Sequence, residues 1–569
     1  MIVDRRRKHR GALMKRLSAL SLAFLVVTLF VSSCQTSSPQ LGSQTNWIKA
    51  CDTKSDCGAL ECICGMSTTT CESDAQSSEL EGAECVDTMD AGAIALCDGQ
   101  VHSDKFCMTL CDDAKCANGS FCQADACAPA LQSETLFTID PTIIHQALIG
   151  FGASLAYDEN LIVSYPNKEA LFDVMFSESG FDVIRIANRF EGNNETDLSA
   201  ATEVVAAATD RLGRPPVVFI TSGSPPDALK PNGNRYCSNL DPNCTLVRNV
   251  EGGFDYEAFA EHWRASLAAY ANAGVVPDFV SIQNNADWLP GGEGAAEACR
   301  FLPEEGTLLL SMPDGQEILA EFPGYAQALA EVEAATSDLE AAVSFAAPEV
   351  GSPIMVGGYS ESLADAPYDA IALHLYGVDP LNVPRDQLER VGALSFETGK
   401  PVIQSEMASD GFGTALLTHY TLTLARGAAY IQQPFVTNST DMNSSVLIGL
   451  DGETIVTFPS YHALAHFART TGPGWLRIET TADSADILGS SWISPDEDSL
   501  TVVLLNPTQS AIDVEVTIDA SVAHLLDEAL VTRTTFDGVE RSANLGTLSP
   551  NRSVRVPARA ILTIATAPD

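Results

Sequence analysis

Basic residues are scarce in this chain. Against 75 aspartates and glutamates stand 32 lysines and arginines, a formal net charge of -43 over 569 residues. A surface of that sign repels phosphate backbones, which excludes nucleic acid as a partner. It also steers polyanionic glycans away unless a cleft is locally basic. No stretch beyond residue 31 is long and apolar enough to span a bilayer. A glycine-rich nucleotide loop is missing as well: Gly150-Phe151-Gly152-Ala153 lacks the third glycine of that fingerprint, and no acidic residue ends the second predicted strand. Asp56 and Asp112 lack the regular ligand spacing of a calcium loop. Neither a metal nor a cofactor is expected.

What is present begins with an export signal. Arg5, Arg6, Arg7, Lys8, Arg10, Lys15 and Arg16 form a basic segment, Leu17 to Val31 is apolar, and Ser32-Ser33-Cys34 follows. Basic, apolar and small residues in that order define a secretory signal peptide. The small-small-Cys ending resembles a bacterial lipobox, which implies lipidation of Cys34; an ordinary signal peptide with an incidental cysteine is the alternative. The expected location is the bacterial cell envelope or cell surface, held to the membrane by a lipid anchor only.

Of the 16 cysteines, 12 lie between Cys51 and Cys127. In an exported chain that density reads as a disulfide scaffold with room for six bridges and unassigned connectivity. A metal cluster is the weaker reading, because only His102 accompanies these cysteines and the export route is oxidising. The spacing is similar to small Dickkopf-like cysteine-rich modules. Cys237 and Cys244 are close enough to bridge, which leaves Cys299 over.

The expected order of units is a signal peptide over 1–33, a polar tether over 34–50, a cysteine-rich module over 51–128, a barrel over 136–465 and a β-sandwich over 466–569. Strand candidates are Ala147–Ser154, Val183–Asn188, Val217–Ser222, Phe279–Asn285, Val343–Glu349, Ala370–Tyr376, Val402–Met407 and Ala428–Phe435. Amphipathic stretches such as Tyr256–Ala273 and Tyr325–Thr336 lie between them. Runs buried on both faces and alternating with helices give a parallel sheet. Eight of them over about 290 residues match an α/β fold of the (β/α)8 TIM barrel type, with a doubly wound open sheet as the rival. Past Trp475, the runs Leu476–Thr481, Ser499–Asn506, Ile512–Ile518 and Val554–Ile564 are β-rich and read as an all-β sandwich. The strand near Leu136–Ile139 is a candidate to join it.

Working residues of a barrel sit where its strands end. Those ends supply Arg185 and Asn188; Asn284, Asn285, Asp287 and Trp288; Glu349; His374 and Tyr376; and Glu406. Planar hydrogen-bonding groups beside aromatic faces suit a sugar ring. Each has a plainer alternative: Glu406 and Arg185 as a core ion pair, His374 as a core histidine, Asn284 and Trp288 as loop anchors.

Ordered motifs then narrow the reading. They are Gly150-Phe151-Gly152-Ala153-Ser154, Arg185-Ile186-Ala187-Asn188, Ser224-Pro225-Pro226 with Leu229-Lys230-Pro231-Asn232-Gly233, and Ser281-Ile282-Gln283-Asn284-Asn285-Ala286-Asp287-Trp288. His374-Leu375-Tyr376-Gly377, Gln404-Ser405-Glu406 and Tyr461-His462-Ala463-Leu464-Ala465-His466-Phe467 follow. Over roughly residues 136–569 the chain resembles glycoside hydrolase family 30. The resemblance implies a retaining glycosidase with Glu406 as nucleophile, and a sugar pocket touched by Arg185, Asn188, Asn284, Trp288, His374 and Tyr376. The partner it implies is carbohydrate; a protein partner of the cysteine-rich module is unidentified.

The chain departs from that family at the acid/base glutamate, which is Asn285 here, and at the following proline, which is Ala286. Asparagine cannot donate a proton or act as a general base near neutral pH, and that function supplies about 10²–10⁴-fold of rate. Two tryptophan positions of the family hold Gly223 and Gln433. Three functions stay open: a hydrolase of β-linked glycans or glucosides, a carbohydrate-binding pseudoenzyme, and an adhesion role for the cysteine-rich module with the barrel as spacer. Metabolic labelling with a fatty-acid analogue in a bacterial host is expected to mark the chain, and Cys34→Ser to abolish the label and release the protein from membranes.

Overall fold

The computed structural model describes residues 47–567 apart from 52–53, 55–59, 78–79, 81–82, 112–115, 117–119, 130, 132–134, 156–157, 192–197, 341 and 442–444. The expected signal peptide, Cys34, most of the tether, Asp56, Cys57 and Asp112 lie outside the described residues. No described helix is long and apolar enough to cross a membrane.

Eight parallel strands close a barrel: β1 (Gly150–Ser154), β2 (Val183–Ala187), β3 (Val217–Thr221), β4 (Phe279–Ser281), β5 (Ser344–Val350), β6 (Ala370–His374), β7 (Val402–Met407) and β8 (Gly427–Gln432), with β8 returning to pair with β1. The open-sheet rival is thereby excluded. Small and β-branched side chains make closure possible. Val183, Phe219, Ala346, Ala370, Ala372, Ile403, Ala429 and Ile431 form one buried cluster. Gly152 sets the approach of β1 to β2, since a Cβ there would lie 1.8 Å from the Val183 carbonyl oxygen.

Helices α1 (Ser199–Leu212), α2 (Tyr256–Asn272), α3 (Tyr325–Thr336), α4 (Pro353–Ser360), α5 (Arg385–Thr398), α6 (Gly411–Thr423) and α7 (Pro459–Ala468) cover the barrel. The helix α2 shows why they form where they do. Asp255 caps it by accepting the Ala258 amide at 3.1 Å. Its apolar stripe of Phe259, Ala260, Trp263, Leu267 and Tyr270 is buried.

Two strand expectations need correction. The fourth strand stops at Ser281, not Asn285: the chain bends at Ile282 and enters a turn at Asn284, in which Asn285 is left-handed (φ 48°). Strand β5 carries a bulge at Glu349 (φ 52°), with Pro348 and Val350 pairing to consecutive residues of β6.

The C-terminal strands are β9 (Leu476–Ala482), β10 (Leu488–Ile493), β11 (Leu500–Asn506), β12 (Ile512–Ile518), β13 (Leu530–Thr535), β14 (Ala543–Thr547), β15 (Ser553–Val556) and β16 (Ala560–Ala565). With Thr135–Ala147 they form one nine-stranded mixed sheet around its own apolar core. The early strand Thr135–Ala147 lies between β9 (antiparallel) and β12 (parallel). The expected single run Val554–Ile564 is split into β15 and β16, since Pro557 has no N–H to pair and Arg559 is left-handed (φ 47°).

The cysteine-rich segment is three short hairpins, Glu61–Ile63 with Met66–Thr68, Glu84–Val86 with Phe106–Met108, and Ser120–Gln123 with Ala126–Pro129. Among the described residues five bridges hold it: Cys51–Cys62, Cys64–Cys97, Cys71–Cys85, Cys111–Cys122 and Cys116–Cys127. The Sγ atoms of Cys111, Cys116 and Cys127 come within 4.8 Å of one another, but all three are bridged and none is a thiolate ligand. The segment is fastened to the C-terminal sheet. Arg533 donates to the Ala95 carbonyl at 2.9 Å, Val539 N–H to the Gly99 carbonyl at 2.9 Å, and Arg555 pairs with Asp98 at 3.0 Å.

Helix α7 joins barrel to sheet through two histidines. His466 meets the hydroxyls of Thr563 at 2.8 Å and Thr534 at 2.9 Å, and His462 meets Ser542 at 2.9 Å and Thr457 at 3.0 Å. Burial, reinforced by Arg469, pushes His462 down to about 3 and His466 well below its usual range. A depressed folded-state value means that the unfolded chain takes up a proton the folded chain refuses. The contribution is complete above about pH 6.5 and is lost as pH falls toward 3. Melting temperature is therefore expected to drop from pH 7 to pH 5, each such histidine costing about 1.4 kcal/mol per pH unit below 6.5. Calorimetry of His462→Gln should give a shallower slope in that window.

Candidate active site

At the centre of the barrel mouth a single cation organises three carbonyl and carboxylate groups. Arg185 on β2 is 1% exposed, and desolvation alone would drive a guanidinium to give up its charge. Neighbouring carboxylates more than reverse this. Its Nη2 lies 3.1 Å from Glu349 Oε1, 3.0 Å from Glu406 Oε2 and 2.7 Å from Asn284 Oδ1, while Nη1 donates to Ser154 Oγ at 3.2 Å.

Glu349 is fully buried below the mouth. The bulge turns it inward, where it accepts from Thr221 Oγ1 at 2.5 Å and lies 3.6 Å from His374 Nε2. Burial would raise its carboxyl, but Arg185 and His374 hold it below the ordinary carboxylate range. It is a charged structural partner and has no path to a substrate oxygen.

Glu406, near the end of β7, is the carboxylate that reaches the surface. Its Oε1 accepts from the Tyr376 hydroxyl and its Oε2 faces Arg185. Burial and the Glu406 charge push the Tyr376 phenol up, so it remains a donor. Glu406 thus has both oxygens oriented by fixed donors.

Above it opens a hollow of about 690 Å³ lined by Asn284, Asn285, Asp287, Trp288, Gly351, Ser352, Tyr376 and Glu406, with Tyr236, Ala296 and Glu297 completing the wall. Asn284 reaches it after its N–H bonds the Ser222 carbonyl at 2.8 Å. Asp287 accepts the Gly351 amide at 2.8 Å and so ties the loop after β4 to the end of β5. The approach is close: a Cβ on Gly351 would lie 3.3 Å from Asn285 Oδ1, so a side chain there would push the Asn285 amide aside by a few tenths of an ångström. Trp288 is 42% exposed and offers a flat apolar face.

Three of the residues expected to touch substrate, Arg185, His374 and Asn188, are not among those lining the hollow. Arg185 lies beneath the hollow, its Nη1 and Nη2 engaged by Ser154, Asn284, Glu349 and Glu406. His374 is fully buried beside Glu349, on a β6 residue whose side chain points into the barrel interior. Asn188 faces the barrel–helix interface, where its Oδ1 accepts from Ser266 of α2 at 2.8 Å and from the Phe190 amide at 3.1 Å. Gly223 and Gln433 do not line the hollow either; the Gly223 carbonyl accepts from Gln283 at 2.9 Å, and the Gln433 N–H donates to Met407 at 2.9 Å.

Two lining residues escape a reading of strand ends. Tyr236 and Glu297 face each other on a two-stranded ribbon, Tyr236–Cys237 with Ala296–Glu297, built from the loops after β3 and β4. The Cys237–Cys244 bridge anchors it. That cysteine pair was the one sequence signal for a built loop. Cys299 is buried and unbridged, and burial pushes its thiol up to about 11, which leaves it unreactive.

No protein-family profile and no curated protein matches this sequence. Solved structures do. A glycoside hydrolase family 30 subfamily 8 xylanase from Clostridium acetobutylicum is 19% identical at a TM-score of 0.57, over 76% of this chain and 99% of that one. A conserved exported protein from Bacteroides fragilis is 16% identical at 0.59, over 76% and 100%. An endo-β1,6-glucanase is 13% identical at 0.56, over 77% and 96%. The chain therefore has the glycoside hydrolase family 30 type of fold.

Removing the central cation would leave Glu349 and Glu406 as uncompensated charges in the interior. Arg185→Met is expected to destabilise the fold by about 3–5 kcal/mol, read as a lowered denaturation midpoint, because breaking a buried ion pair exposes the desolvation cost of the remaining charge.

Proposed function

We propose that this chain is an exported glycoside hydrolase of the retaining type, working at the cell surface on β-linked glycans or glucosides with Glu406 as nucleophile. The observation that carries the reading is the orientation of Glu406. One oxygen is held by Tyr376 and the other by Arg185, at the floor of a hollow that also offers Asn284 and the Trp288 face. A carboxylate so positioned is suited to attack an anomeric carbon. The kinship of fold with a xylanase and a β1,6-glucanase supports a β-linked carbohydrate. The ionisable side chains lining the wall apart from tyrosine, Asp287, Glu297 and Glu406, are all carboxylates, which favours neutral sugars over uronic acids.

Asn285 at the acid/base position favours a second reading, a surface protein that binds carbohydrate without cleaving it. The two readings separate in one set of measurements. For the hydrolase, a 2-deoxy-2-fluoro glycoside with an activated leaving group should add one sugar mass to Glu406, and Glu406→Ala should abolish both labelling and turnover. Glycan-array binding with neither label nor turnover would establish the binding protein instead. Asn285→Glu is expected to raise turnover of unactivated oligosaccharides by about 10²-fold or more if only the proton donor is missing.

A further inference from the structure

The ribbon Tyr236–Cys237 with Ala296–Glu297, anchored by the Cys237–Cys244 bridge, brings a further carboxylate to the wall of the hollow. Glu297 lines the same hollow as Glu406 and Asn285, and its side chain is 8% exposed. Every neighbour of its backbone is fastened. Tyr236 pairs with it across the ribbon, and Lys230 donates to the carbonyl of the next residue, Ala298. Arg300 N–H bonds the Cys244 carbonyl at 2.9 Å, and Phe301 N–H bonds the carbonyl of Ala286, the residue after Asn285, at 3.0 Å. The segment bearing Glu297 is thus tied directly to the loop bearing Asn285. Its carboxylate is set between two guanidinium groups, Arg235 at 3.7 Å and Arg189 at 3.8 Å.

Resting on the reading of Glu406 as nucleophile, we infer that Glu297 is the general base of this site, and that its substrates are glycosides whose leaving group departs as its own anion, such as a phenol. Of the neighbouring carboxylates, Glu349 is sealed beneath Arg185, and Asp287 ties the loop after β4 to the end of β5 through the Gly351 amide. A carboxylate placed between two guanidinium groups is assigned the role of proton acceptor, which belongs to the second half of a retaining reaction. In the first half, a Glu406 oxygen bonds the anomeric carbon as the bond to the aglycone oxygen breaks. The aglycone keeps the electron pair, leaves as phenolate and is protonated by solvent. In the second half, a water oxygen bonds the same carbon while Glu297 takes one water proton. The ester bond to Glu406 breaks, its electron pair returns to Glu406, and Glu297 later yields its proton to solvent.

Pre-steady-state kinetics test this on 2,4-dinitrophenyl β-glycosides of glucose, xylose and galactose. Wild type should release an initial burst of phenolate and then turn over steadily. Glu297→Gln should keep the burst and lower the steady rate about 10²-fold or more. Azide, which attacks without deprotonation, should restore the rate of the variant and yield a glycosyl azide of retained configuration. An unchanged steady rate overturns the assignment, as does a parallel loss of burst and turnover that azide does not rescue. No burst and no Glu406 label in wild type refutes the nucleophile itself, and this inference with it.

Discussion

A guanidinium without access to water must be surrounded by negative charge, and the barrel is arranged around that requirement. Arg185 draws Glu349 inward from the β5 bulge, Glu406 down from β7 and the Asn284 amide across from the loop after β4. Three strands and the loop after β4 are thereby cross-linked at one point by charge-assisted bonds in a medium of low polarity. The bulge at Glu349 follows from the same need. A regular strand would alternate that side chain to the other face, whereas the left-handed residue turns it toward the cation. The position of Glu406 in the hollow is thus a consequence of the interior charge balance.

Two glutamates near strand ends come out with opposite characters for this reason. Glu349 is surrounded on all sides by donors and is structural. Glu406 shares the cation but sits one level higher, with a tyrosine donor beside it and open space above. Asn285, by contrast, carries no charge that the network would have to balance. A glutamate there would add a third carboxylate near Asp287 and Glu297, so its absence lowers the electrostatic load of the mouth. The hollow holds three carboxylates, Glu406 from β7, Asp287 from the loop after β4 and Glu297 from the outlying ribbon.

Much of this was legible in sequence. The alternation of buried apolar runs with amphipathic stretches gave the barrel, because strands covered on both faces leave no polar alternation. Strand-end reading found Asn284, Asn285, Trp288, Tyr376 and Glu406 on one wall. It did not give the surroundings of Arg185, Asn188 and His374, since a strand end indicates depth in the barrel and not the direction a side chain takes once the backbone departs from regular pleating. Tyr236 and Glu297 were invisible because they lie on loop insertions, where no periodicity operates and only the cysteines hint at order. The strands at Leu488–Ile493, Leu530–Thr535 and Ala543–Thr547 were missed because short runs rich in Ser, Thr and Gly carry little hydrophobic signal.

The strand Thr135–Ala147 comes before the barrel in sequence yet sits inside the C-terminal sheet, hydrogen-bonded to residues 476–482 on one side and 512–518 on the other. A chain made from its N-terminus would deliver this strand long before either partner exists. It must wait, with both edges bare, while the whole barrel emerges. Neither lobe can be excised at a single cut: a fragment ending after α7 keeps an orphan strand, and one beginning there has a gap in its middle. The two lobes are interlocked like a clasp, and inheritance or engineering would have to move them together.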